Sequence, residues 1–256
     1  MSAPLLRLQG VTVNFGGLRA VADLDLDLDG GMLAGLIGPN GAGKTTVFNA
    51  ITGVYAPARG SILLEDRPIQ GHVTSAIAAR GVARTFQSSR LFPDLTCLDN
   101  VRIACHLHGR LGLWNSMVRS KRSSVEEAAI LRRSEELLDA FHLAQYRDHE
   151  ARNLPYGEMR RLEIARAVAA EPKLLLLDEP AAGLNPQETE ALMRLIREIR
   201  DRYRLTVLLI EHDMRVVMGI CERITVLDYG VKIAEGSPDA IRRDPRVIEA
   251  YLGDSA

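Results

Sequence analysis

This chain lacks, first of all, an excess of charge of either sign: 32 Lys and Arg against 33 Asp and Glu leave a formal net charge of −1 over 256 residues. No basic tract is available to follow a phosphate backbone, so no nucleic-acid partner is expected. Long hydrophobic runs are missing too, and none approaches the roughly 20 apolar residues that a membrane-spanning helix needs. The opening Met1-Ser2-Ala3-Pro4 has neither the basic nor the apolar region of a signal peptide, which implies a chain retained in the cytosol. Cysteine is scarce: Cys97, Cys105 and Cys221 are odd in number, lack CxxC spacing and sit among apolar neighbours. That argues against a disulfide framework or a cysteine-held metal and predicts buried, reduced thiols. Internal repeats, low-complexity segments and long flexible linkers are absent as well. Apolar material is plentiful, since 46% hydrophobic residues can bury the core of one large domain or of one domain with an inserted lobe.

Period-two alternation marks strands near the start, around residues 6–13 and again in DLDLDLD at 23–29, where leucines face one way and aspartates the other. A calcium ladder is the sharper reading of those aspartates, but carboxylates spaced along a flat strand do not converge on one ion. Residues 61–64 read as a further strand, and 76–83 as a helix leading into Arg84-Thr85-Phe86-Gln87. From 95 to 152 helical patterning dominates, with apolar positions three and four apart over 125–141, and predicts a helical lobe. Continuous apolar runs then return at LLLLD 174–178 and TVLLI 206–210, the mark of strands buried on both faces of a parallel sheet. Between them Asn185 and Pro186 suit the N-cap and first position of a helix reaching about Arg200. Residues 224–227 and 231–234 flank Asp228-Tyr229-Gly230 as a hairpin, and a helical tail ends at Tyr251-Leu252.

The run GPNGAGKTT at 38–46 follows a buried strand at 32–37 and opens a helix near Gly43. Gly38, Gly43, Lys44 and Thr45 occupy the fixed positions of G-x-x-x-x-G-K-[ST]. In such a loop the backbone N–H groups turn inward on an anion and the helix adds its positive dipole end. Lys44 then reaches the β- and γ-phosphates, and the Thr45 hydroxyl is a ligand for Mg²⁺. A chance glycine-rich turn is the plain alternative, and four fixed positions in strand-to-helix context outweigh it.

Asp178 ends its strand immediately before Glu179, and the carboxyl ends of parallel strands are where open α/β sheets place ligands. Asp178 suits Mg²⁺, while Glu179 suits the water that attacks the γ-phosphorus. Without a phosphate loop, a surface Asp-Glu pair capping a helix would be favoured; with one, chemistry is favoured. His212 follows the end of the next buried strand, where an imidazole can reach the γ-phosphate. A lone histidine is usually structural, so its position carries the inference.

Together these residues resemble the ATP-binding cassette family over nearly the whole chain. Phe15 looks like the aromatic that stacks on adenine, and Gly38, Pro39, Asn40, Gly41, Ala42, Gly43, Lys44, Thr45 and Thr46 form the phosphate loop. Gln87 matches the glutamine that senses Mg²⁺ and the attacking water. Leu154-Pro155-Tyr156-Gly157-Glu158 stands in place of the signature LSGGQ, which faces the ATP of the opposite subunit. Asp178, Glu179 and His212 match the metal-strand aspartate, the catalytic glutamate and the switch histidine, with Lys44 and Gln87 also in the catalytic set. The resemblance implies an α/β fold: a P-loop ATPase core with a mostly parallel sheet, an N-terminal antiparallel β subdomain and an inserted helical subdomain. It places one ABC ATPase domain over 1–256, with the core in 1–94 and 153–256 and the helical lobe in 95–152. Two departures stand out. Pro155 replaces the signature serine and offers neither hydroxyl nor N–H, and Asn185 stands where the family usually has Asp.

The stretches RTFQ at 84–87, RLEIARA at 161–167, DEPAAGLNP at 178–186, IEHDM at 210–214 and VIEAYLG at 247–253 are most similar to importer ATPases for branched-chain amino acids. That implies an enzyme with ATP and Mg²⁺ as cofactors, on the cytoplasmic face of a bacterial inner membrane. Its implied partners are a second ATPase subunit, identical or not, transmembrane permeases and, indirectly, an external solute-binding protein. The longer ATPase of such importers carries extra helical sequence where 111–124 lies here. Arg119, Lys121 and Arg122 in that stretch could touch lipid headgroups, with a solvated face the plainer reading. Exporters of lipopolysaccharide and importers of urea or short amides use similar ATPases, so the cargo stays open. A soluble cassette acting on ribosomes or nucleic acid fits poorly, since there is one cassette and no sustained heptad pattern. A non-hydrolysing regulator is opposed by Glu179 and His212.

Overall fold

A computed structural model describes residues 3–85, 90–106 and 121–253. Its contacts divide the chain into two compact units, 1–84 with 173–256, and 85–172.

In the first unit the alternating segments form β1 (Leu6–Phe15) and β2 (Leu18–Leu28), which pair antiparallel with Leu8 opposite Leu26. Leu24, Leu26 and Leu28 are buried while Asp25 and Asp27 face solvent, so period-two patterning becomes one wet and one dry face. After β3 (Leu33–Ile37) and α1 (Lys44–Ile51) come β4 (Arg59–Leu64), which pairs with β1, and β5 (Arg67–Pro68). These make an antiparallel sheet in the order β2-β1-β4-β5.

The segment 76–83 corrects the sequence reading. The helix is only α2 (Thr74–Ala78), and Val82–Arg84 form a strand, β6. The reason is tertiary: β6 pairs in parallel with β7 (Leu174–Asp178), Val82 opposite Leu174, and a three-residue strand carries no period of its own.

The second sheet runs β10-β9-β3-β8-β7-β6 among the described residues, with β8 (Thr206–Ile210), β9 (Arg223–Asp228) and β10 (Val231–Gly236). All its pairings are parallel except the β9–β10 hairpin. Every residue of β3, β7 and β8 is buried, as unbroken apolar runs require when both faces are covered. The connections are α6 (Pro186–Tyr203) and α7 (Met214–Ile220), and the tail is α8 (Pro238–Arg243) and α9 (Pro245–Gly253).

The second unit is helical among its described residues: α3 (Cys97–His106), α4 (Lys121–Ala140) and α5 (Tyr156–Ala169). This unit takes in α5, which the sequence reading placed with the core in 153–256. Arg119 and most of the 111–124 stretch lie outside the described residues. All three cysteines are free and buried, and burial pushes the Cys97 thiol up to about 11 and the Cys221 thiol up to about 12.

Candidate active site

The register of the second sheet lines up three strand ends. Leu36 and Asp178 both stand opposite Ile210, so the turns after β3, β7 and β8 open on one edge. Open parallel sheets place ligands there, outside the carboxyl ends of their strands.

The turn after β3 is the glycine loop. A Cβ on Gly38 would lie 2.0 Å from the Leu227 carbonyl oxygen, and one on Gly43 2.4 Å from that of Ala20, so only glycine permits the approach. Gly230 N–H donates to the Ala42 carbonyl at 3.1 Å, bracing the loop from the β9–β10 hairpin. Gly43 takes φ 98 at the N-cap of α1. Asn40, Gly41 and Thr45 are exposed, whereas Pro39 and Ala42 are buried. The Lys44 ammonium is buried and donates to the Gly38 carbonyl at 2.6 Å and to that of Pro39 at 2.8 Å. Burial lowers its pKa, while the Glu179 and Asp178 carboxylates work against that shift. The fold therefore brings Lys44, Asp178 and Glu179 into one electrostatic neighbourhood across more than 130 residues of sequence.

Asp178 is buried at the end of β7, where the Arg84 guanidinium donates to its Oδ2 at 2.7 Å and to Asn49 Oδ1 at 2.7 Å. Both side chains of the Arg84–Asp178 pair are 6% exposed, and Arg84 also lies over the Phe48 ring. Glu179 takes φ 48, a left-handed backbone that only glycine adopts freely, and its carbonyl accepts from Ala182 N–H at 3.2 Å. His212 Nδ1 lies 3.8 Å from Glu179 Oε1, so the predicted base and switch histidine are neighbours. Gln87 lies outside the described residues.

Phe15 is exposed at the end of β1, and Tyr55 meets its ring edge-on with centroids 5.0 Å apart. Sequence reasoning missed Tyr55, and it read Arg84 only as part of the RTFQ stretch, without its pairing to Asp178. An exposed aromatic shortly after the phosphate-loop helix was a usable signal for Tyr55; nothing local marked the ion pair of Arg84.

In the second unit Pro155 is the N-cap of α5 and has no side-chain cap bond, as its ring dictates. Tyr156 is exposed, and its hydroxyl accepts from Arg160 at 2.7 Å. Gly157 and Glu158 are half-buried in the first turn, and Arg161 pairs with Glu158 at 3.3 Å. Asn185 caps α6 by accepting from Gln187 and Glu188 N–H, both at 3.0 Å, while Glu188 accepts from Asn185 N–H. Asn185→Ala is expected to lower stability by about 1 kcal/mol, read from chemical denaturation.

The ABC transporter profile matches residues 21–182, which span the glycine loop, α5 and the Asp178-Glu179 pair. This chain belongs to the ABC transporter family. A second profile, that of the branched-chain amino acid ATP-binding cassette transporters, matches residues 231–256 of this ABC protein. The chain is 46% identical over its whole length, and over all of the relative's, to the high-affinity branched-chain amino acid transport ATP-binding protein LivG of Escherichia coli strain K12. The solved ADP conformation of an ATP-binding cassette of an ABC transporter is 26% identical with a TM-score of 0.84, covering 98% of this chain and 100% of that one. A dimeric cassette in a post-hydrolysis state bound to ADP and Pi is 25% identical with a TM-score of 0.76, covering 91% of this chain and 98% of its own. The mostly parallel sheet, the antiparallel N-terminal sheet and the helices of this ABC chain are those of an α/β P-loop ATPase.

Proposed function

We propose that this chain is the ATP-hydrolysing subunit of a membrane importer for branched-chain amino acids, peripheral on the cytoplasmic face of a bacterial inner membrane. The observation that carries the reading is the meeting of Lys44, Asp178, Glu179 and His212 at one sheet edge. The cargo rests on the full-length similarity to LivG and on the profile match at 231–256.

In this reading ATP lies along the glycine loop. Backbone N–H groups from Gly41 to Thr46 face its phosphates, Lys44 exchanges its carbonyl partners for the β- and γ-oxygens, and Phe15 stacks on adenine. Thr45 and Asp178 offer the hard oxygen donors that suit Mg²⁺, with Gln87 completing the set from sequence. The chemistry of that donor set, one hydroxyl in the first turn of α1 and one carboxylate at the end of β7, leaves most of an octahedral shell to other oxygens. Such a site suits an ion that keeps waters and phosphate oxygens as ligands. Bound Mg²⁺ supplies charge neutralisation at the β- and γ-phosphates. Glu179 orients the attacking water and takes its proton as the new P–O bond forms and the bond to the ADP oxygen breaks. His212 steadies the γ-phosphate.

The signature segment, Pro155 to Glu158, faces the ATP of a second cassette, identical or not. Pro155 removes one donor, leaving Gly157 N–H and the positive end of the 14-residue α5 to attract the phosphate. ATP binding closes the pair of subunits, hydrolysis reopens it, and the permeases, fed by an external solute-binding protein, convert that cycle into import.

Lys44→Ala is expected to weaken ATP binding about tenfold to a hundredfold, the worth of a hydrogen bond to a charged group, in an equilibrium titration. The cargo is tested by leucine, isoleucine and valine uptake in cells that lose this chain and then regain it. Loss and recovery of all three supports the reading, and unchanged uptake contradicts it.

A further inference from the structure

Glu211 has no part in the scheme above, yet it is a buried carboxylate held by backbone donors beside it. It follows β8, is 1% exposed, and collects backbone donors from two loops. Oε1 accepts from Ala181 N–H at 2.8 Å, while Oε2 accepts from His212 N–H at 3.2 Å and from Asp213 N–H at 3.5 Å. The first loop is the turn in which Glu179 holds φ 48, a conformation that persists only where its surroundings enforce it. The second presents His212, whose Nδ1 lies 3.8 Å from Glu179 Oε1 and 4.0 Å from Glu211 Oε2. A carboxylate suits this place because its two oxygens serve two separate loops at once. Burial pushes the Glu211 carboxyl above its usual range, against the pull of those N–H groups, so the group occupies a costly position.

We propose that Glu211 is a positioning residue for hydrolysis, its carboxylate clamping the turn that carries Glu179 to the loop that carries His212. The inference rests on the roles given above to those two residues. It assigns to Glu211 the register between the group that takes a proton from water and the group that steadies the γ-phosphate.

The test compares Glu211→Gln and Glu211→Ala with the unaltered full chain, in the assembly that sustains turnover, and carries Glu179→Gln as a control. ATP affinity and kcat per ATP-binding site are measured, together with hydrogen exchange at Ala181 and His212. The expected result is a kcat loss of about tenfold to a hundredfold in Glu211→Ala at unchanged ATP affinity, with faster exchange at both amides. Glu211→Gln keeps one acceptor oxygen and lies between the two. Retention of full kcat per binding site by both variants overturns the proposal, and so does loss only in proportion to lost binding sites, which is what a purely structural role produces. Intact turnover in Glu179→Gln instead overturns the assignment of the base, and the clamp is then decided by the Glu211 variants' own kcat and exchange.

Discussion

Glu179→Gln is expected to slow ATP hydrolysis by about 10²–10⁴-fold, the usual worth of a positioned general base, while ATP binds as tightly as before. The expectation follows from where the carboxylate sits. It follows the end of strand β7, in a left-handed turn held by its own carbonyl's bond to Ala182 and by a ladder bond from its N–H to the Ile210 carbonyl at 2.9 Å. Those bonds are made by the backbone, so glutamine inherits the position. What it loses is the capacity to take a proton from water. The phosphate loop is untouched, and removing a nearby negative charge does nothing to repel the nucleotide. Single-turnover hydrolysis alongside an ATP-binding titration separates the two quantities. Equal loss of binding and rate would place Glu179 among the binding residues instead.

Arg84→Met is expected to destabilise the first unit by about 3–5 kcal/mol, because it removes one member of a buried ion pair and leaves the Asp178 carboxylate inside without its guanidinium. For a chain of this length that is a melting temperature lower by roughly 10 °C. Asn49 loses the same guanidinium, and Phe48 loses the cation over its ring. The pair ties β6, which leads into Gln87, to the end of the strand that presents Asp178. A double change of Arg84→Met with Asp178→Asn is expected to recover part of the loss, since it removes the stranded charge as well. A thermal melt indistinguishable from that of the unaltered chain would show the pair to be energetically idle.

How far these features were legible in the sequence differs by kind. The leucine and aspartate alternation of β2 and the unbroken apolar runs of β3, β7 and β8 are local signals, and the sheets follow from them. Asn185 was readable as a cap because a capping box needs only four consecutive residues. β6 was not, since three residues leading to a charged motif acquire strand geometry only by pairing with a partner 92 positions away, as Val82 does with Leu174. Arg84 and Asp178, 94 residues apart, meet for the same reason. The glycine loop and the Asp178-Glu179 step could be proposed from motifs alone, but the left-handed backbone of Glu179 and the clamp made by Glu211 belong to the folded chain. An IEHD string shows a buried strand ending in charge. Only the structure shows that its first carboxylate turns inward to hold a neighbouring loop.

Dependence of hydrolysis on the signature segment of a second subunit is read from the specific ATPase activity of the purified chain, alone and mixed with a second cassette, as concentration is raised. Activity per molecule is expected to climb with concentration as pairs of cassettes form, in the chain alone where it pairs with itself and in the mixture where it does not. Measurable activity per molecule that stays constant from the most dilute sample to the most concentrated would contradict that dependence.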